Sequence, residues 1–457
     1  MAKTFSQESL VDWKYIDQRP IPEWFEDSKF GIFIHWGVYS VPAYRALSEK
    51  KYASYAEWYY ARVMYDSVNG GADFHNKNYG VDFDYHDFAP SFKAELFNPD
   101  EWAKMFKDAG AKYVVLTSKH HDGYCLWPAS HPLKKNWNAM DVGPKRDLVG
   151  DLTNSVRNQG MKMGLYYSSI EWESSPTNRR NNGWWLPDEV HEKYRIPEDK
   201  FVSMINQQLR EIVTQYEPAL IFADGGEWDG SAQYWGTTTF LNWLYKESAV
   251  KDIVVVNDRL SKESVGKHGD YYSSEYQDAD GLGASHPWEE SRGMGGSYGF
   301  NRAENLEDYR SSTELVHELI DIVSRGGNLL LNVGPTADGR IPVIMQDRLK
   351  EIGKWLDVNG EAIYSSRPFT NGKANIENVR FTQTKDAVYA ICLHWPGQYL
   401  VLDGIDNEGL VTVELLGSSQ KIELSQNNNR MLIETPRLDP ESFSSAHAWV
   451  FKISFAQ

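Results

Sequence analysis

A chain of 457 residues with 41% hydrophobic content is long enough for one barrel-sized domain and a smaller companion, each burying its own core. Its formal net charge of -17 excludes an electrostatic footprint for DNA, RNA or an anionic membrane surface, which require clustered Lys and Arg, and favours a neutral or cationic ligand. The 14% aromatic content, with 17 Trp, leans toward carbohydrate, because indole and phenol rings match the C–H faces of sugars.

The N-terminus, Met1 to Trp13, has no apolar stretch of signal-peptide type, and no run approaches the ~18 apolar residues of a membrane span. The expectation is a cytoplasmic protein, or a periplasmic or secreted bacterial one if a leader has been removed. Between Lys29 and Ile344, short apolar runs alternate with amphipathic segments, as in a parallel sheet built from βα units. The predicted strands are Phe30 to Ile34, Tyr113 to Thr117, Met163 to Tyr167, Ala219 to Ala223, Ile253 to Val256, Tyr271 to Ser274, Pro287 to Glu289 and Asn328 to Asn332. Eight such units form a TIM-type (β/α)8-like barrel.

Helix signals fall between these strands. Asn98 caps a helix that Pro99 opens, Asp100 and Glu101 suit its positive end, Trp102, Met105 and Phe106 share one face, and Gly110 stops it. Val202, Ile205, Leu209, Ile212 and Val213 form a second stripe, and Leu315, Leu319, Ile322 and Val323 a third. From Val379 onward the period becomes two, without intervening helices, which predicts an antiparallel β-sandwich. The chain is therefore divided into a barrel domain, residues 1–366, and a C-terminal sandwich, residues 367–457. Cys125 and Cys392, far apart in sequence, read as ordinary buried thiols.

In a closed α/β barrel, chemistry collects at the C-terminal strand ends. Here those ends carry His35-Trp36-Gly37, Lys119-His120-His121-Asp122, Tyr166-Tyr167-Ser168, Asp224-Gly225-Gly226, Asn257-Asp258-Arg259, Ser274-Glu275-Tyr276 and Trp288-Glu289. Asp224 closes the run Ala219 to Ala223; alone, an Asp at a strand end is more often a helix cap or turn former. The recurrence of ionisable and aromatic groups at one end of the sheet favours a reactive centre. Two facing carboxylates among neutral histidines suit glycoside hydrolysis, with Arg259 holding Asp224 ionised. Two rivals stand beside it: a metal hydrolase using His35, His120, His121 and Asp122, and a non-catalytic sugar-binding protein. Adjacent His120 and His121 fit one metal poorly from a regular strand, since its side chains alternate faces.

The motifs resemble those of the α-L-fucosidases of glycoside hydrolase family 29. The resemblance runs through Phe33-Ile34-His35-Trp36-Gly37, Glu57-Trp58-Tyr59, Phe97-Asn98-Pro99-Asp100-Glu101-Trp102, Ser118-Lys119-His120-His121-Asp122-Gly123, Asn257-Asp258-Arg259 and Gly326 through Pro335. It implies a barrel plus sandwich and retaining hydrolysis of terminal α-L-fucosyl residues from oligosaccharides, polysaccharides or glycoconjugates, with no metal or other cofactor. No nucleic-acid or membrane partner is implied, and a homo-oligomer is compatible. Asp224 would be the nucleophile, and His35, Glu57, Trp58, His120, His121, Tyr167 and Arg259 would line the sugar subsite. The proton donor varies in position among members; Glu275 matches the acid/base motif of similar bacterial members, and Glu289 is the second choice. Phe222 stands where relatives often have Trp and Tyr298 where Phe is common, both keeping an aromatic wall. The segment Asn178 to Trp185 is a candidate loop at the leaving-group side, with an ordinary solvated loop as the alternative.

Overall fold

Eight short runs, six of them apolar and the sixth and seventh polar, form parallel strands: β1 Phe30–Ile34, β2 Tyr113–Lys119, β3 Lys162–Ser168, β4 Leu220–Asp224, β5 Val255–Val256, β6 Tyr272–Glu275, β7 Trp288–Gly293 and β8 Asn328–Val333. They pair in the order β5-β4-β3-β2-β1-β8-β7-β6, and a single parallel bridge, Asn257 to Tyr271, joins the two remaining edges into a barrel. The computed structural model describes residues 13–48, 53–177, 179–180, 183–184, 186–276, 286–405, 411–427, 430–438 and 446–455.

Period-two alternation sends every second side chain into the barrel. Phe33, Tyr113, Val115, Tyr166, Leu220, Phe222, Val255, Tyr271 and Leu330 meet there in one buried cluster, while Ile32, Ile34, Val114, Leu116, Leu165 and Tyr167 face the surrounding helices. Gly31 makes room for this filling: a Cβ at that position would lie 2.4 Å from the Tyr113 ring.

The helices begin where local chemistry directs. The Asn98 side chain accepts from Glu101 N at the start of helix Pro99–Asp108, with Pro99 at its first position. Ser311 and Glu314 form a reciprocal capping box at the start of helix Ser312–Ser324. Their apolar stripes, Trp102, Ala103 and Phe106 in one and Leu315, Leu319, Ile322 and Val323 in the other, pack into the outer core.

The C-terminal part consists of two antiparallel sheets over a separate core. One sheet orders Arg367–Pro368, Val379–Gln383, Ala387–Cys392, Trp449–Phe455 and Val411–Leu415; the other orders Lys373–Ala374, Tyr399–Asp403, Arg430–Glu434 and Glu423–Asn427. Strand Val379–Gln383 opens the period-two region. The sandwich docks on the barrel through Arg380 Nε to Asp321 Oδ1 at 2.6 Å and Trp355 Nε1 to the Ala448 carbonyl at 3.0 Å. Cys125 and Cys392 are buried free thiols. Among the described residues no helix is long and apolar enough to cross a membrane.

Candidate active site

At the C-terminal mouth of the barrel lies a cavity of about 550 Å³. Phe33, His35, Tyr55, Glu57, Trp58, His120, His121, Tyr166, Phe222, Asp224, Trp228, Glu275 and Tyr298 contribute to its lining. Asp224 is the last residue of β4, and Gly225 follows at φ +79°, a left-handed turn in which a Cβ would strike Ile170.

The Asp224 carboxylate is gripped from several sides. Tyr166 donates its hydroxyl to Oδ2 at 2.7 Å, and His121 Nε2 lies 3.4 Å from the same oxygen. Gly225 N donates to Oδ1 at 3.0 Å, and Arg259 Nη1 stands 3.5 Å from it. Burial alone would raise this carboxyl, but the His121 contact and charge, the Arg259 guanidinium and the Tyr166 hydroxyl outweigh it and hold the group below the usual carboxylate range. Glu227 behaves oppositely. Burial and the neighbouring Asp224 charge push it well above the carboxylate range, so Asp224 is the ionised member and Glu227 the neutral one.

Arg259 also reaches the second carboxylate. Its Nη1 donates to Glu275 Oε1 at 2.6 Å while Nε donates to Ser273 Oγ at 2.7 Å, and the Ser273 hydroxyl in turn donates to Asp258 Oδ1 at 2.8 Å. One guanidinium nitrogen thus bridges Asp224 and Glu275. Glu275 keeps 26% of its side chain exposed against 11% for Asp224. Tyr276, directly after it, takes φ +50° and turns the chain away from the strand.

The histidines are fixed by their outer partners. The Ser168 hydroxyl donates to the Ile170 carbonyl at 2.6 Å, so it accepts from His121 Nδ1 at 2.7 Å and turns Nε2 toward Asp224. The Asn332 amide nitrogen donates to the Tyr298 carbonyl at 2.6 Å, which leaves Asn332 Oδ1 to accept from His35 Nδ1 at 2.7 Å. Burial drops His35 to about 3 despite that bond and the Asp224 charge, and it lowers His120 well below the usual range, reinforced by His121 and His35. Both rings are therefore neutral, and His35 Nε2 offers a lone pair to a hydroxyl. His120 and His121 reach the cavity together because β2 ends at Lys119 and the two lie beyond it, freed from strand alternation. Glu57 arrives from far along the chain, its Oε2 accepting from Gly299 N at 2.8 Å and Ser297 Oγ at 3.1 Å, and burial pushes it up to about 7.

Two sequence-derived candidates lie elsewhere. Tyr167 points to the helix side of β3, where its hydroxyl donates to Gln208 Oε1 at 2.7 Å; the inward tyrosine is its neighbour Tyr166. Glu289 is the second residue of β7, aligned with Asn328 at the start of β8, and it accepts from Tyr113 at the start of β2. It sits at the N-terminal end of the barrel, because β7 runs on to Gly293 instead of ending at Glu289. Asp122 accepts from Tyr85 Oη at 2.8 Å and Tyr124 N at 3.2 Å, and among the described residues no group of three or more His, Cys, Asp or Glu is arranged to hold a metal. The segment Asn178 to Trp185 has only the short hairpin Arg179–Arg180 with Gly183–Trp184 described, and its side chains lie outside the described residues. Tyr166, Glu227 and Trp228 have no site role in the sequence reading, although Tyr166 stands at a strand end and the Glu227-Trp228 pair just after Asp224.

Burial pushes the Glu289 carboxyl up to about 8, from an ordinary value of 4.5. The folded state thus holds this proton more tightly than the unfolded chain. That stabilisation is complete below the ordinary value and is lost as pH rises through about 8. Glu289→Gln is expected to match the wild type in thermal melts near pH 5 and to exceed it by roughly 2–4 kcal/mol near pH 9. Parallel wild-type and variant curves over that range would overturn the assignment.

Known proteins are similar to this chain in architecture and sequence. The profile of the family described as Alpha-L-fucosidase matches residues 2–361, and that of the Alpha-L-fucosidase C-terminal domain matches residues 373–454. Tissue alpha-L-fucosidase of Bos taurus is 41% identical over 449 residues, covering 97% of this chain and 90% of that protein. Alpha-L-fucosidase of Dictyostelium discoideum is 39% identical, covering 98% and 96%. The crystal structure of Thermotoga maritima alpha-fucosidase in complex with fucose superposes with a TM-score of 0.81 at 33% identity, covering 97% of this chain and 99% of that one.

Proposed function

The chain belongs to the α-L-fucosidase family and is a glycoside hydrolase, and from that premise we propose that it releases terminal α-L-fucosyl residues by double displacement with retention. The observation that carries this reading is the carboxylate pair bridged by Arg259. Asp224 and Glu275 stand on one guanidinium nitrogen at 3.5 and 2.6 Å, so these oxygens are separated by no more than those two distances together. That upper bound lies below the ~6.5 Å at which inverting carboxylates begin and is compatible with the ~5–5.5 Å of retaining ones.

In this mechanism Asp224, ionised and largely buried, attacks C1 as Glu275 gives its proton to the glycosidic oxygen and the C1–O bond breaks. Glu275, the more exposed carboxyl, is the one able to take its proton from solvent. In the second step water adds to C1, passes its proton to Glu275, and the ester bond to Asp224 breaks. Two inversions at C1 leave an α-product. His35, His120, His121 and Glu57 receive the ring hydroxyls, while Phe33, Phe222 and Tyr298 wall the apolar face and Trp58 closes it from the mouth. Residues 1–366 form the catalytic unit and 367–457 the supporting sandwich.

The test is NMR of the first sugar formed from an aryl α-L-fucoside. The α-anomer of fucose is expected before mutarotation; initial β-fucose would overturn the retaining mechanism, and no release of fucose would overturn the activity.

A further inference from the structure

The cavity extends past the reactive carboxylates, and its contacts order it from inside to outside. His121 touches Asp224, Trp58 packs on His121 with ring centroids 5.6 Å apart, and the Arg62 guanidinium lies 5.6 Å from the Trp58 ring. Along the opposite wall Tyr55 packs on Tyr298 at 5.4 Å, Ala53 follows, and the Ala53 carbonyl receives Arg45 Nε at 2.9 Å. Both arginines line the cavity.

Burial lowers Arg45 against the pull of Asp66, and the Arg62 charge adds a smaller lowering. Asp66 is committed to its own turn, accepting from Val68 N and Asn69 N at 3.0 Å each and from the Asn69 side chain at 2.8 Å. With Nε spent on Ala53, the Nη1 and Nη2 groups of Arg45 make no hydrogen bond among the described residues. Two guanidiniums lining one cavity, in a chain of net charge -17, place positive charge on the side where the leaving group of a bound glycoside lies.

We infer that Arg45 and Arg62 form an oxyanion subsite for the sugar to which fucose is attached, and that the enzyme prefers acceptors bearing a sulfate ester or a carboxylate. The planar forks suit either group, since both present two or more oxygens to paired N–H donors. The inference rests on the fucosidase reading above.

The experiment measures kcat/KM for α-L-fucosyl-N-acetylglucosamine against its 6-sulfate, and for α-L-fucosyl-galactose against α-L-fucosyl-galacturonic acid, with 4-nitrophenyl α-L-fucoside as a third substrate. The charged-to-neutral ratio for at least one pair is expected to reach about ten-fold, the size of a charge-assisted hydrogen bond, and to arise through KM. It is expected to shrink between about 0.01 M and about 1 M salt, as the screening length falls from ~30 Å to ~3 Å. In the Arg45→Gln/Arg62→Gln variant the ratio is expected to fall to about one. Because the ratio is taken within one preparation, partial misfolding of the variant leaves it unchanged; the single variants, each expected to fall between, provide a second measurement. The pair that shows the preference tells sulfate from carboxylate. A wild-type ratio of one in both pairs, or a preference that survives in the double variant, overturns the inference while 4-nitrophenyl fucoside is still cleaved. Failure on 4-nitrophenyl fucoside overturns the parent reading and this inference with it.

Discussion

Asp224→Ala is expected to lower turnover of an aryl α-L-fucoside by on the order of 10⁴-fold or more, because it removes the only group positioned to form the covalent intermediate. The loss should be chemical and not architectural. The Asp224 side chain is held by Tyr166, His121, Arg259 and Gly225 N, and a small cavity among polar groups is a lesser disturbance than a void in the apolar core. Added azide fits the vacated space and attacks C1 from the face the carboxylate occupied. With Glu275 still able to protonate the departing oxygen, the product is β-L-fucosyl azide, inverted relative to the substrate. Formation of that azide, followed by NMR, separates a lost nucleophile from a misfolded protein. Near-normal turnover of the variant, or azide product with the α configuration, would remove Asp224 from its role.

Glu275→Ala is expected to act selectively. Natural disaccharides, whose sugar leaving groups need a proton, should lose ~10²–10⁴-fold in kcat, the range of general acid catalysis. The 2,4-dinitrophenyl fucoside departs without help, so its first step should be nearly spared and the enzyme should stall as the fucosyl ester, with no base to activate water. Azide needs no base, so it should relieve the stall and yield α-L-fucosyl azide, the opposite anomer to that from Asp224→Ala. Mass spectrometry of the trapped intermediate and NMR of the azide check both statements. Equal losses on activated and natural substrates would deny Glu275 the acid/base role. Glu289→Gln is expected to show no such selectivity, since its carboxyl sits at the far end of the barrel against Tyr113.

Much of this architecture depends on short stretches of chain. Six of the eight barrel strands were visible as apolar runs too brief for helices, the sixth and seventh only weakly, and the Asn98 and Ser311 caps are written in adjacent residues. The end of each strand was harder to read. The polar run Trp288 to Gly293 hides a strand whose outer half is covered by tertiary contacts, and misplacing its end moved Glu289 to the wrong face of the molecule. A shift of one position exchanged Tyr167 for Tyr166 in the same way, since neighbouring side chains in a strand point to opposite sides.

By itself, the sequence determined the barrel, the sandwich, the placing of Asp224 at a strand end and the motifs that mark the family, because each depends on residues within a few positions of one another. Only the tertiary structure decided which groups meet. Glu57 is anchored by Gly299, His35 by Asn332, and Arg259 spans Asp224 and Glu275, contacts that join separate strands and loops of the closed sheet. Chain closure over such separations is set by strand register and barrel curvature, which no local pattern encodes. The sequence motif already ranked Glu275 ahead of Glu289, and that closure adds the physical reason, setting Glu289 against Tyr113 and bringing Arg259 to both Asp224 and Glu275.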